Sequence, residues 1–347
     1  MNSNSLEDYG FTPDRARAFK PHQEQGLIPG RVIEEHRGFY IVVIEHGETR
    51  AELAGRYRIE NKPFPAVGDW VALRPGEPML VEAVLERSSR ISRSEAGRAT
   101  GEQVIGANID TAFLVIAVDK DFNPNAVERY LTMLWESGAQ PVLLLTKADA
   151  AADLDETISA AEISAVRVPV HAISSTEGTG LDALDAYLMP GQTICLLGAS
   201  GAGKSTLLNK LAGREVAATQ AVRERDGKGR HTTTTRQLHR LPSGALVVDT
   251  PGMRELQLWD AGGIQDAFED IEVLAADCKF GNCTHTRNAG CAVEGVIDER
   301  RLESWRKLQK ELTRNARRKD DAAQSADAKK WRQIRIDARK KRKLDGC

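Results

Sequence analysis

The segment Gly198-Ala199-Ser200-Gly201-Ala202-Gly203-Lys204-Ser205 constrains this 347-residue chain more than any other. It fits the pattern G-x-x-x-x-G-K-[ST], follows the apolar run Thr193–Leu197 and opens a helical stretch, Thr206–Leu211. A strand that turns through glycines into a helix N-terminus turns several backbone N–H groups toward one anion, and the helix dipole adds positive potential. The segment therefore requires an α/β fold and predicts a bound nucleotide. Lys204 is placed to reach the β- and γ-phosphates, the Ser205 hydroxyl to ligate Mg²⁺, and Thr206 to complete the phosphate-binding stretch.

The surrounding pattern agrees. Apolar runs at Thr111–Val118, Pro141–Leu145, Val168–Ile173, Thr193–Leu197 and Ala245–Val248 alternate with helical spacing, as in Pro124–Ser137, which has Pro near its start and Gly138 just past its end. Continuous apolar runs suit strands covered on both faces, and such alternation implies a mainly parallel sheet.

The base is chosen by Thr146-Lys147-Ala148-Asp149, directly after a strand. The Asp149 carboxylate can accept from both N1–H and the 2-amino group of guanine, a donor pair that adenine lacks, while the Lys147 stem lies along the base plane. Asn usually opens this motif; Thr146 removes an amide that ties the loop to the P-loop, so weaker affinity is expected. Ser174 and Ser175 form the last base-contacting loop. Downstream, Asp249-Thr-Pro-Gly252 places a carboxylate at a strand end to hold Mg²⁺ through water and the Gly252 N–H near the γ-phosphate. Between these motifs, Asp226–Thr235 is basic and rich in hydroxyls, suited to a switch segment.

Base motif, base loop, P-loop, switch I and switch II occur in that order, whereas ordinary small GTPases begin with the P-loop. The order is a circular permutation, tolerable because domain termini lie at the surface and often close together. Met253 stands where many such enzymes carry a water-positioning Gln. His231, whose imidazole can bond water or the γ-phosphate, is the candidate in its place. Slow intrinsic turnover, raised by a partner that orders switch I, is the expected consequence. Asp149 and the two switch motifs argue against a small-molecule kinase; the missing Gln leaves open an RNA-binding module that uses nucleotide only as a structural ligand.

Residues 28–97 contain short β-rich runs punctuated by Gly and Pro, such as Gly38–Ile44, Trp70–Leu73 and Met79–Val84. They fit a small barrel of the OB type. Residues 1–27 are expected to be a flexible arm, and Gly97–Gly106 a linker to a GTPase domain spanning 105–262. In 266–347, Cys278, Cys283, His285 and Cys291 are separated by gaps of four, one and five residues. Four such ligands in one short segment match a closed tetrahedral structural Zn²⁺ site. Residues 300–343 hold 18 of the 48 Lys and Arg but six of the 50 Asp and Glu, so a +12 tail follows a body of −14. That asymmetry fits a nucleic-acid partner or a solvated helix. No run approaches the ~20 apolar residues of a bilayer span, and the first 20 residues lack the apolar core of a signal peptide. A cytoplasmic protein is expected.

Together the permuted motifs, Gly229–Thr234, the Cys/His quartet and the helix Asn123–Leu131 resemble the RsgA (YjeQ) family of bacterial small-ribosomal-subunit-dependent GTPases. The resemblance covers about residues 30–300. It implies a multidomain protein with an N-terminal OB-fold barrel, a central circularly permuted α/β P-loop GTPase domain and a mainly helical C-terminal zinc-binding domain. It further implies late maturation of the 30S subunit, GTP hydrolysis to GDP stimulated by that particle, and contact with 16S rRNA. The family's Mg²⁺-binding and hydrolytic switch-I residues map onto Thr233 and His231. A monomer is expected.

Overall fold

The structure is a computed structural model that describes residues 5–55, 57, 63–94, 102–118, 122–217, 236–249, 262–281, 283–286 and 290–317. Strands β1 (Ile28–Glu35), β2 (Tyr40–Ile44), β3 (Gly47–Leu53), β4 (Trp70–Arg74) and β5 (Met79–Val84) pair in the order β1-β2-β3-β5-β4. A β1–β4 pairing closes the ring. The five strands form a closed barrel whose interior holds Val32, Tyr40, Val42, Ala51, Val71, Leu73 and Val81. The expected barrel is present. A bulge between Val32 and Glu34 lets β1 serve two neighbours along its length.

The segment expected to be a linker carries structure. Residues 102–107 form β7, antiparallel to β6 (Arg90–Ser94). The expected flexible arm is also structured where described. Leu6–Tyr9 makes a 3-10 turn, and α1 (Pro13–Gln23) starts on Thr12, whose hydroxyl accepts from the Arg15 N–H. Leu6, Tyr9 and Phe19 are buried. The fully buried Arg31 guanidinium of β1 donates to the Tyr9, Gly68 and Asn108 carbonyls and to the Thr193 hydroxyl. Burial, reinforced by the nearby charge of Arg15, pulls its pKa down to about 9. Sequence reading missed this junction because its acceptors are backbone groups brought together only by folding.

The second sheet runs β10-β9-β8-β11-β13-β12. Its strands are β8 (Thr111–Ala117), β9 (Gln140–Thr146), β10 (Val170–Ile173), β11 (Thr193–Leu197), β12 (Gln237–Arg240) and β13 (Leu246–Asp249). All pair in parallel except β12, which is antiparallel to β13. Alternate residues divide between two cores. Ala112, Leu114, Leu143 and Cys195 face one, while Phe113, Val115, Leu144 and Ile194 face the other. That division explains why these strands read as unbroken apolar runs. Helix α2 (Pro124–Ser137) is capped by the Asn123 side chain and ended by Gly138 at φ 81°. α3 (Leu154–Ser164) and α4 (Lys204–Ala212) complete the domain. The barrel and this sheet are continuous, because β1 also pairs with β12 at Glu34 and Gln237.

α5 (Gly262–Ala267), α6 (Glu269–Ala275) and a helix over 299–317, α7, form the C-terminal region around Ile264, Phe268, Ile271 and Leu302. α5 straddles the expected boundary at 262–266 and lies so close to α2 that a Cβ on Gly263 would meet Thr132 O at 2.0 Å. The basic tail beyond 317 lies outside the described residues.

Candidate nucleotide site and metal centre

β11 lies between β8 and β13 and delivers the chain to Gly198, whose Cβ, if present, would meet Val115 O at 2.1 Å. Only glycine lets the loop pass that close to β8. The turn continues through Gly203 at φ 90°, and α4 begins at Lys204. Ala199 and Ser200 are exposed, Gly201, Ser205 and Thr206 half-buried, and Ala202 buried. Ser205 and Thr206 occupy the first helical turn, where backbone N–H groups have no partner within the helix. The Lys204 ammonium donates to Gly198 O and Ala199 O, both at 2.7 Å, which places it against the loop it is expected to serve.

The base motif stands beside this loop. Thr146 ends β9 with 1% exposure, and its hydroxyl donates to Ala202 O at 2.6 Å, with Ile116 O an alternative acceptor at 3.2 Å. The expected loss of the tie to the P-loop is therefore corrected: the shorter threonine reaches a P-loop carbonyl itself. The backbone turns left-handed at Lys147, φ 60°, and the 3-10 turn Ala148–Ala150 presents Asp149 to solvent. β10 pairs with β9 at Ile173 and Thr146, so Ser174 leaves the sheet next to the base motif. Buried Ser174 is occupied with its own loop. Its N–H donates to Thr179 O, and its hydroxyl shares a hydrogen bond with Thr176 and accepts from the Glu177 N–H. Ser175 beside it is half-buried.

Asp249 closes β13, in register with Gln237 of β12. His231, Thr233 and Gly252 lie outside the described residues.

The second cluster is complete. The ligand atoms of Cys278, Cys283, His285 and Cys291 all lie within 4.8 Å of one another. His285 Nδ1 is 3.6 Å from Cys278 Sγ and 3.5 Å from Cys291 Sγ. Donors around a tetrahedral Zn²⁺ with Zn–S of about 2.3 Å stand roughly 3.5–3.8 Å apart, so the quartet fits such an ion. The Ala292 N–H donates to Cys278 Sγ and the Glu294 N–H to Cys291 Sγ, as thiolates require. Burial, then the charge of Arg306, lowers the His285 pKa and favours the neutral imidazole that ligation needs.

Around the cluster, polar contacts dock α7. Arg306 donates to His285 O, and the Trp305 ring lies 5.4 Å from the imidazole. Arg301, 2% exposed, donates to Asp270 at 2.7 and 2.8 Å and to Glu128 of α2 at 3.1 Å, while Arg300 reaches the same Glu128 oxygen at 3.0 Å. These residues were missed from sequence. Glu128 and Arg301 sit within helical patterns that read as ordinary charged faces, and only docking buries them.

A model of the RsgA GTPase family matches residues 84–259, just over half of the chain. The small ribosomal subunit biogenesis GTPase RsgA 2 of Lactiplantibacillus plantarum is 45% identical over 84% of this chain and 85% of its own length. The chain belongs to the RsgA GTPase family. The corresponding RsgA protein of Opitutus terrae is 40% identical over 99% of both chains. Among solved structures, YjeQ from Thermotoga maritima aligns with a TM-score of 0.62 and 26% identity, over 83% of this chain and 99% of its own. YloQ, described as a circularly permuted GTPase, aligns with a TM-score of 0.61 and 25% identity, over 83% of this chain and 95% of its own. The family makes this chain a GTP-hydrolysing enzyme. The permuted order read from the motifs is the order of its strands, with β9 and the base loop ahead of β11 and the P-loop. Among the described residues no helix is long and apolar enough to cross a membrane.

Proposed function

We propose that this RsgA-family chain binds GTP through Gly198–Thr206 and Thr146–Asp149 and hydrolyses it to GDP and phosphate. The small ribosomal subunit stimulates the reaction, which serves late maturation of that particle in the cytoplasm. The observation that carries the nucleotide reading is the Thr146–Ala202 hydrogen bond, which joins a base-reading loop to a phosphate loop 56 residues away in sequence. The names of the relatives support the ribosomal part.

In this reading Asp149 accepts from the guanine N1–H and 2-amino group, Lys147 lies along the base, and the loop at Ser174–Ser175 closes its far edge. Lys204 leaves the Gly198 and Ala199 carbonyls for the β- and γ-phosphate oxygens. Ser205, Thr233 and Asp249 are the residues that would hold Mg²⁺, which would supply neutralisation of the phosphate charge. His231 orients the attacking water, and the Gly252 N–H steadies the γ-phosphate. Cys278, Cys283, His285 and Cys291 would hold one Zn²⁺ as a staple for the C-terminal region, with no part in hydrolysis. The basic tail and the barrel contact 16S rRNA, chiefly through its backbone. The protein acts as a monomer.

Phosphate release from GTP and from ATP, with and without purified 30S subunits, tests the whole reading. Slow GTP turnover, raised sharply by 30S and absent with ATP, is the expected result. Turnover indifferent to 30S would leave a GTPase and overturn the ribosomal partner. Nucleotide binding without turnover in any condition would favour the RNA-binding module.

A further inference from the structure

Besides the buried Arg31–Thr193 contact, the barrel is joined to the GTPase sheet by strand pairing at one edge. β1 and β12 share the register pair Glu34–Gln237. Side chains carry the join. Gln237 Nε2 donates to Glu34 Oε1 at 3.0 Å, and Arg236 Nη1 donates to Glu35 Oε2 at 2.9 Å. The Arg236 side chain is only 11% exposed and Glu35 32%, so the pair is partly shielded from water.

Two features of this point matter. Gln237 is also the register partner of Asp249, so one row across the sheet runs Glu34, Gln237, Asp249. Arg236 stands three residues after Thr233 in the chain. Arg236, the residue after the Asp226–Thr235 segment, and Asp249, which opens the Asp249–Gly252 motif, therefore flank the point where the barrel grips the sheet. On the barrel side the contacts continue outward. The second Glu34 oxygen bonds His36 Nε2 at 2.7 Å, and the His36 ring stacks on Phe39 with centroids 4.6 Å apart and planes 9° apart. The exposed Arg50 guanidinium covers the Phe39 ring at 4.3 Å.

From this geometry we infer that Arg236 and Gln237 are positioning residues for GTP hydrolysis, with Glu34 and Glu35 of the barrel as their anchors. They act through the Gln237–Asp249 register pair without touching nucleotide. Contacts made on the β1–β2 turn reach the hydrolytic site by this route. A sheet pairing this short leaves the polar side chains to fix the spacing at this edge, and an ion pair partly shielded from water holds it with direction. The inference rests on the GTPase reading above.

A charge swap tests it. Arg236→Glu and Glu35→Arg should each lower kcat for GTP about ten-fold while KM and GDP affinity stay within about two-fold, and the double variant should recover most of kcat. Glu34→Gln and Gln237→Met form a milder pair should a charge-reversed variant fail to fold. Thermal midpoints are recorded for every variant. A clasp that serves stability alone would lower the midpoint and leave kcat at saturating GTP unchanged, which would overturn the inference. So would a swap that restores the midpoint without kcat. A wild-type chain that binds GDP yet never turns over GTP would instead bring down the reading beneath it.

Discussion

Replacing Thr146 by valine exchanges one hydroxyl for a methyl at a position that is 1% exposed and leaves the backbone pairing of β9 with β8 and β10 intact. What is lost is the 2.6 Å hydrogen bond to Ala202 O. A typical intramolecular hydrogen bond contributes about 0.5–1.5 kcal/mol net, and a buried acceptor left without its donor costs about 1–3 kcal/mol. Ile116 O, 3.2 Å away, also loses its option. Ala202 lies between Gly201 at φ 80° and Gly203 at φ 90°, so no side chain on either neighbour stiffens the carbonyl's position. If about 1–2 kcal/mol of the loss falls on the nucleotide-bound state, GDP affinity weakens roughly 5–30-fold. Fluorescent GDP titration and displacement kinetics measure it, with the change expected in the dissociation rate. Thr146→Ser keeps the hydroxyl and should stay within about three-fold of wild type. Valine binding as tightly as wild type would refute the argument, and so would serine, which keeps the hydroxyl, sharing the valine defect.

Asp149→Asn should weaken GDP binding by about 100-fold or more and favour a xanthine nucleotide, since the amide offers a donor where the carboxylate accepted; competition binding reads this directly. Chelation should release one Zn²⁺ per chain by mass spectrometry and lower the unfolding midpoint, and Cys283→Ser should reproduce both changes; full thermal stability after complete metal loss would contradict a structural site. Arg301→Leu leaves the buried Glu128 carboxylate with Arg300 alone, and urea unfolding should show a loss of about 3 kcal/mol. A loss below about 0.5 kcal/mol would mean that α7 is held to α2 by its apolar contacts instead.

Much of the architecture was legible because local chemistry and global fold agree. The unbroken apolar character of Thr111–Ala117 and Thr193–Leu197 reflects burial on both faces of a parallel sheet. The helix Pro124–Ser137 announced its own ends through Pro124 and Gly138. Residues 102–107 were not legible as a strand, since Glu, Gln and Gly there have low strand preference and the pairing with Arg90–Ser94 is what holds them. The N-terminal helices were missed for a similar reason. Leu6, Tyr9 and Phe19 make no amphipathic stripe of their own and are buried only because the barrel and Arg31 stand beside them.

The candidate site divides along the same line. Gly198–Ser205, Asp149 and the Cys/His quartet stood out in the sequence as candidates, because phosphate cradling, guanine selection and metal ligation each demand particular residue types at short, fixed spacings. The consequence of Thr146 could not, since a missing amide is visible in a sequence while a carbonyl 56 residues away is not. The Arg236–Glu35 clasp spans 201 residues, and its partners carry no motif. Local spacing determined which residues are candidates for chemistry. Tertiary structure decided which segments feel it, because contacts between distant residues depend on packing and register that no local pattern encodes.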